Sequence, residues 1–388
     1  MRTIVHALVD ERFDEVEASF APRLRAVVSA RTLAAAWRAE TARIGTVVAV
    51  GTAEPSAVPG EPALTRYQVP VTGEHGGLTV VMSVDATGAL HGLRLAPAVA
   101  AEWVAPPYAS PDRFVERPVL DGAATVSVPV APGPWPGAVL LAGGGPFDRD
   151  GTSGVNKPLK DLAWGLASRG VAVARFDKPT VGPGWTMTDE YVPLALAAAG
   201  ALRDDVRCDR VFVVGHSMGG RVAPRVAAAL TSIAGLVLLA ADAEPVHHAA
   251  VRVARHLGWD AAALARQASF LDSPALTART PAADLPFGWP ASYWLDLRED
   301  DPVARAAGLG QPMLVLQGGR DYQVTVDDDL ARWKAGLSRE NVTFRVYEKD
   351  DHLFFPGTEP STPAGYVPPQ HVDSTVVSDI ADWLDRLR

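Results

Sequence analysis

Two rhythms of apolar and polar positions divide the chain. In residues 3–20 and 22–40 apolar side chains recur at helical spacing, as at Val16, Phe20, Leu24, Val27 and Val28, which predicts amphipathic helices. The runs GTVVAVGTA, TRYQVPVTG and GLTVVMSVD then alternate apolar and polar residues and are rich in valine, which predicts strands. Asp85-Ala86-Thr87-Gly88 is a turn signal, and ALHGLRLAP completes a hairpin behind it. Helices followed by an antiparallel sheet describe a small α+β module, placed at residues 1–105. The proline-rich stretch VAPPYASPDRFVERP reads as a linker, bounded at 106–118.

From residue 119 to 388 the rhythm changes. After the short strand TVSVPVAP come AVLLAGGG, VAVARFD, VFVVGHS, LVLLAAD, MLVLQGGRD and TFRVYEKDDH, mostly continuous apolar runs ending in Gly, Asp or His. Helical stretches such as KPLKDLAWGLASRG and RVAPRVAAAL separate them. Buried strands alternating with helices predict an α/β class, a doubly wound and mostly parallel sheet. In such sheets the site forms at the carboxyl ends of the strands. One interval, about 243–309, is too long for a simple crossover and is helical throughout. It is read as a cap inserted over the site. Its clustered aromatics Trp289, Tyr293 and Trp294 are the candidate residues for binding an apolar or aromatic substrate.

Composition narrows the field. With 388 residues the chain exceeds one ordinary core, and 48% hydrophobic against 21% charged residues is a globular balance. A formal net charge of -9 argues against nucleic acid as a partner. Cys208 stands alone, so no internal disulfide can form, and a reducing compartment, the cytoplasm, is expected. The opening residues lack an apolar core of signal-peptide length, and no apolar stretch reaches a membrane span.

The densest chemical signal is Gly215-His216-Ser217-Met218-Gly219, with strand before and helix after. A strand-to-helix turn this tight needs glycines two residues either side of the serine, and it lifts the serine to the top of the sheet. A serine hydroxyl needs a base to become a nucleophile. Of nine histidines, only His352 follows a predicted strand with a final helix still to come. The base needs an acid to set its tautomer. Asp321, ending MLVLQGGR, is preferred to Asp242 at the end of the preceding strand. Two backbone donors must face the oxyanion. Met218 supplies one. Gly144, with Gly145 as the alternative, supplies the other from the glycine-rich loop after AVLLAGGG, where Pro146 has no N–H to offer. Asp148, Arg149 and Asp150 read as an ion-pair brace, and Asp177 and Lys178 as ties between loops. No His, Cys or Asp cluster has metal-ligand spacing, so neither metal nor cofactor is expected.

Taken in order, GGGPFDRDG, ARFDKPTVGPG, GHSMGG, GGRDYQV and DDHLF resemble the α/β-hydrolase superfamily, and within it bacterial esterases near the serine aminopeptidase and dienelactone-hydrolase groups. The resemblance covers about residues 118–388, and GPFDRDG is its most specific part. It implies a serine hydrolase acting on a small-molecule ester or acyl substrate through Ser217, Asp321 and His352. The same triad in this superfamily also serves acyl transfer, cyclisation and carbon–carbon bond cleavage. Related esterases often carry an extra N-terminal domain. Here such a module has two roles open to it, a homodimer interface or a border of the site's mouth. The chain departs from the pattern twice. Ala142-Gly143 stands where His-Gly is common, and Thr180-Val181-Gly182-Pro183 replaces Arg-Gly-x-Gly.

Overall fold

The computed structural model describes all residues except Met1, Pro59, Gly60, Pro62, His75, 98–102, Thr180 and Arg388. Contacts divide the chain into two compact units: residues 1–102 with 282–289, and residues 103–281 with 290–388.

In the first unit the helical stretches are four helices, not two: α1 (Arg2–Val9), α2 (Phe13–Ala18), α3 (Pro22–Arg25) and α4 (Ala30–Ile44). The breaks have local causes. Glu11 adopts φ 55°, Pro22 starts α3, and the Ser29 hydroxyl caps α4 by accepting the Thr32 N–H. An antiparallel sheet follows, β1 (Val47–Val50), β2 (Glu54–Ala57), β3 (Thr65–Gly73), β4 (Gly76–Val84) and β5 (Leu90–Pro97), in the order β1-β3-β4-β5 with β2 also pairing β3. The period-2 pattern buries Val69, Val71, Leu78, Val80 and Met82 against Val5, Leu8, Leu33 and Trp37. Strand β2, exposed throughout, carries no alternation and so gives no signal in the sequence.

The second unit is built on an eight-stranded sheet: β6 (Phe114–Val119), β7 (Ala124–Pro129), β8 (Trp135–Leu141), β9 (Ala172–Phe176), β10 (Cys208–His216), β11 (Ile233–Leu239), β12 (Met313–Gly318) and β13 (Val342–Tyr347). Their order across the sheet is β13-β12-β11-β10-β8-β9-β7-β6, parallel except at β7 and β6. The segment read as linker up to residue 118 is therefore, from Phe114 on, an edge strand. Prolines suggested a linker, but an edge strand tolerates Pro118 because one side of its backbone is unpaired. Strands β8 and β12 are buried at every position, as continuous apolar runs must be when helices cover both faces.

The helices are α5 (Pro158–Ala167), α6 (Met187–Arg203), α7 (Met218–Ala229), α8 (Val246–His256), α9 (Ala262–Asp272), α10 (Ala291–Glu299), α11 (Pro302–Ala307), α12 (Ala331–Gly336) and α13 (Ser374–Arg386). Leu159, Leu162 and Leu166 of α5 join Val376, Val377, Ile380 and Leu384 of α13 in one core with the sheet. Helices α8 to α11 make up the span read as cap, except that residues 282–289 group with the first unit. Among the described residues, no helix is long and apolar enough to cross a membrane.

Strand order decides where the chemistry gathers. β8 has β10 on one side and β9 on the other, so the chain turns opposite ways from β8 and opens a crevice at its carboxyl end. Leu141 is in register with Gly215, which sets the loop after β8 beside the turn after β10.

Candidate active site

Ser217 occupies the turn between β10 and α7 at φ 55°, ψ −122°, a backbone conformation that costs a non-glycine residue free energy. Its N–H donates to Leu239 O at 2.9 Å, and its hydroxyl caps nothing in α7. The flanking glycines are enforced by backbone. A Cβ at Gly215 would lie 2.2 Å from Gly219 O, and one at Gly219 would lie 2.4 Å from Leu141 O. Neither neighbour is a side chain that could swing away. Gly219→Ala is expected to destabilise the fold by about 3 kcal/mol, the upper range for overpacking, and to lower turnover with it. A denaturant midpoint within error of wild type would show that the turn accommodates the methyl group.

His352 lies in the loop after β13 and is buried. Its Nδ1 and Asp321 Oδ2 are 2.7 Å apart. Gln317 Nε2 donates to the same oxygen, and the Gln323 and Val324 N–H groups donate to Oδ1 at 2.8 and 3.0 Å. The carboxylate is thus gripped on both oxygens and fully covered. Burial alone would lower the His352 pKa, but the charge and hydrogen bond of Asp321, with Asp242 and Asp351 adding to them, raise it above the ordinary histidine value. Asp242, the rival acid, makes no hydrogen bond to His352; desolvation, with Asp329 near, pushes its pKa up to about 7.

His216, beside the serine, has a part that sequence reading did not give it. Its Nε2 donates to the backbone oxygen of His352 at 2.8 Å, and the two rings lie 4.8 Å apart. Burial, reinforced by His352, lowers its pKa to about 3, so it stays a neutral donor. It thereby ties the base to the nucleophile turn. Among the described residues nothing bonds the Ser217 hydroxyl itself.

The loop 142–151 lies against this turn. A Cβ at Gly143 would sit 3.3 Å from Ser217 Cβ, and one at Gly144 would sit 3.6 Å from Met218 Cβ. Gly145, at φ 104°, instead neighbours Phe147. The Gly143 carbonyl accepts the buried Tyr191 hydroxyl at 3.0 Å. In a trans peptide the C=O and N–H point oppositely, so this bond aims the Gly144 N–H away from Tyr191. Tyr191 comes from α6, and Lys178 Nζ stands 4.4 Å from its ring centre. Lys178 also pairs with Glu190 Oε1 at 2.9 Å, and Tyr293 of α10 donates to Glu190 Oε2 at 2.8 Å. A lone tyrosine in an alanine-rich helix gives almost no sign of such a role.

Of the three charges read as a brace, Arg149 and Asp150 form ion pairs, whereas the Asp148 carboxylate accepts, among the described residues, only from the Asp150 and Thr152 N–H groups and the Thr152 hydroxyl. Arg149 bonds Asp177, Thr125 Oγ1 and Gly122 O. Asp150 bonds Lys157 and the buried Arg175, which also reaches Glu116. Thr180, in the divergent loop, lies outside the described residues. The span read as a cap begins close by. Asp329 accepts the N–H groups of Ala243 and Glu244, and Arg252 of α8 donates to the carbonyls of Tyr322 and Gln323 beside the acid.

Of the three aromatics assigned to substrate, Tyr293 and Trp294 belong to α10, and Trp289 to the preceding segment 282–289. Tyr293 and Trp294 are 1% and 2% exposed, and Tyr293 stacks edge-on against Trp185. Trp289 groups with the first unit, beside Phe287. Tyr293 and Trp294 supply much of the area that the short helix α10 buries, since bulky rings contribute most of it.

A family model described as the alpha/beta hydrolase family matches residues 138–367. The chain is 31% identical to esterase EstD of Thermotoga maritima over 98% of its own length and 93% of that protein. Among solved structures it is similar to Est1E from Butyrivibrio proteoclasticus, with 14% identity, 71% of this chain and 98% of that one covered, and a TM-score of 0.46. Esterase Pf2001 of Pyrococcus furiosus gives 18% identity, 74% and 99% coverage, and a TM-score of 0.43.

Proposed function

Because the chain belongs to the alpha/beta hydrolase family, we propose that it hydrolyses a carboxylic ester or thioester through an acyl-enzyme on Ser217. The observation that carries the reading is the buried Asp321–His352 pair, whose imidazole lies beside the strained serine turn. Esterase is also what the Thermotoga relative is called.

In this mechanism a substrate carbonyl settles over Ser217, and the hydroxyl closes its hydrogen bond to His352 Nε2 as the complex forms. His352 takes the proton while Ser217 attacks. Asp321 holds Nδ1–H and so keeps Nε2 free to accept. The Met218 and Gly144 amides stabilise the oxyanion. His352 then protonates the leaving alcohol or thiol. Water, activated by the same imidazole, releases the acid and restores the serine. No step calls on a cofactor. The lone, buried and free Cys208 supports a cytoplasmic setting.

A fluorophosphonate probe read by intact mass, together with a panel of p-nitrophenyl esters, tests this. One adduct at Ser217 and turnover of some ester are expected. An adduct without turnover would favour another acyl chemistry, and no adduct would overturn the assignment.

Tyr191 acts here as a positioning residue for the Gly144 donor. Tyr191→Phe should lower kcat by about tenfold to a hundredfold with KM little changed, less than the loss of a whole oxyanion donor. Leaving the Gly143 carbonyl buried without its partner should also cost about 1–3 kcal/mol. A fall in stability with kcat intact would confine Tyr191 to a structural role.

A further inference from the structure

We propose that the cap carries a site for a divalent transition metal of the zinc class, made by His247 and His248 of α8 with Asp272 of α9. His247 Nε2 lies 2.8 Å from Asp272 Oδ1, and His248 Nε2 lies 3.0 Å from Oδ2. The two rings are 4.4 Å apart, and one donor atom from each of the three residues falls within 4.8 Å of the others. Tetrahedral coordination at bond lengths of about 2.0–2.2 Å separates neighbouring ligand atoms by about 3.3 Å. The carboxylate therefore has to withdraw only a few tenths of an ångström to admit an ion. Asp272 is the last residue of α9 and its side chain is 49% exposed, so it is free to do so.

The donor set points to the kind of ion. Two imidazole nitrogens and one carboxylate oxygen suit zinc, cobalt or nickel, whereas calcium and magnesium prefer all-oxygen sites. Three protein ligands leave a fourth position for water. Helix polarity does not explain the arrangement. An acid at the carboxyl end of α9 and imidazoles in the first turn of α8 are both on the ends that a helix dipole disfavours for their charged forms.

The location gives the site a purpose. Helices α8 and α9 have 11 residues each, and the cluster between them has only Val251, Ala254, Ala261 and Ala268 buried, with the half-buried Leu264 and Ala265 packed against it. Short helices joined by so little apolar area hold together weakly. An ion shared by His247, His248 and Asp272 would clamp the pair. His247 also lies 6.0 Å from the buried Trp294 ring of α10, so the clamp would reach the third cap helix.

The test uses the full-length protein freed of metal with a chelator, titrated with zinc by calorimetry, with cobalt absorption as a second readout. One equivalent is expected to bind, with a visible cobalt spectrum of tetrahedral form and a rise of several degrees in Tm. Each of His247→Ala and Asp272→Asn should weaken zinc at least tenfold, and H247A/H248A should abolish the Tm rise. Because the half-buried His247 also packs within the cap, His248→Gln provides a second variant at an exposed position, checked by circular dichroism. It should also weaken zinc at least tenfold. Absence of saturable binding to the wild type would overturn the site. So would zinc affinity undiminished in H247A/H248A, which would place the ion on other histidines.

Discussion

Ser217→Ala is expected to lower kcat by about a millionfold, to the level left by binding and the oxyanion donors alone. The fold should be indifferent to it. The Ser217 hydroxyl caps nothing in α7 and bonds no described residue, and alanine keeps the backbone bond to Leu239. Surface-like truncations of this kind fall within about 0.5 kcal/mol. The variant should therefore keep the wild-type Tm, lose fluorophosphonate labelling, and retain substrate affinity in equilibrium binding. Residual turnover within a hundredfold of wild type would mean that another group is the nucleophile. The reading of the β10–α7 turn would then fail while the fold stood.

Asp321→Asn should reduce kcat by about ten-thousandfold, by reversing a tautomer. The asparagine oxygen can keep the Gln323 and Val324 amides. Its NH2 then faces His352 Nδ1 and forces that nitrogen to accept, which moves the ring proton to Nε2, where the serine proton must go. The same NH2 opposes Gln317 Nε2, so a loss of about 1–3 kcal/mol in stability should accompany the change. The pH profile provides a second readout. His352 must be neutral to act as base, and its pKa is raised, so kcat/KM should climb with pH through a midpoint above 6.5, the ordinary histidine value. Stability runs the other way. A pKa raised by folding stabilises the protein below the unfolded value, and that contribution fades as pH rises through the folded value. Removing the Asp321 charge should shift the activity midpoint downward. A midpoint that does not move in Asp321→Asn would mean that Asp242 or Asp351 sets the imidazole instead.

Much of this chain can be read without coordinates, for a physical reason. Continuous apolar runs such as AVLLAGGG and LVLLAAD have no solvent-facing period, so they must lie in a sheet covered on both faces. The G-x-S-x-G turn is equally local, because the collisions that demand its glycines lie within five residues or on the adjoining strand. Chain order then left few candidates for base and acid.

What the sequence hid depends on distance along the chain. The edge strand β6 was obscured by prolines that only its place in the sheet makes harmless. Trp289, Tyr293 and Trp294 showed their bulk but not their direction, and two of them proved to be interior residues. Tyr191 meets Gly143 across 48 positions, and His216 meets His352 across 136. His247 meets Asp272 across 25, a separation that no metal-ligand spacing rule covers. Local sterics and hydrophobic period determined the strands, the nucleophile turn and the order of the reacting groups. Tertiary structure alone decided which polar atoms meet, because a hydrogen bond or a ligand set depends on ångströms between elements, and the sequence encodes those only through the whole fold.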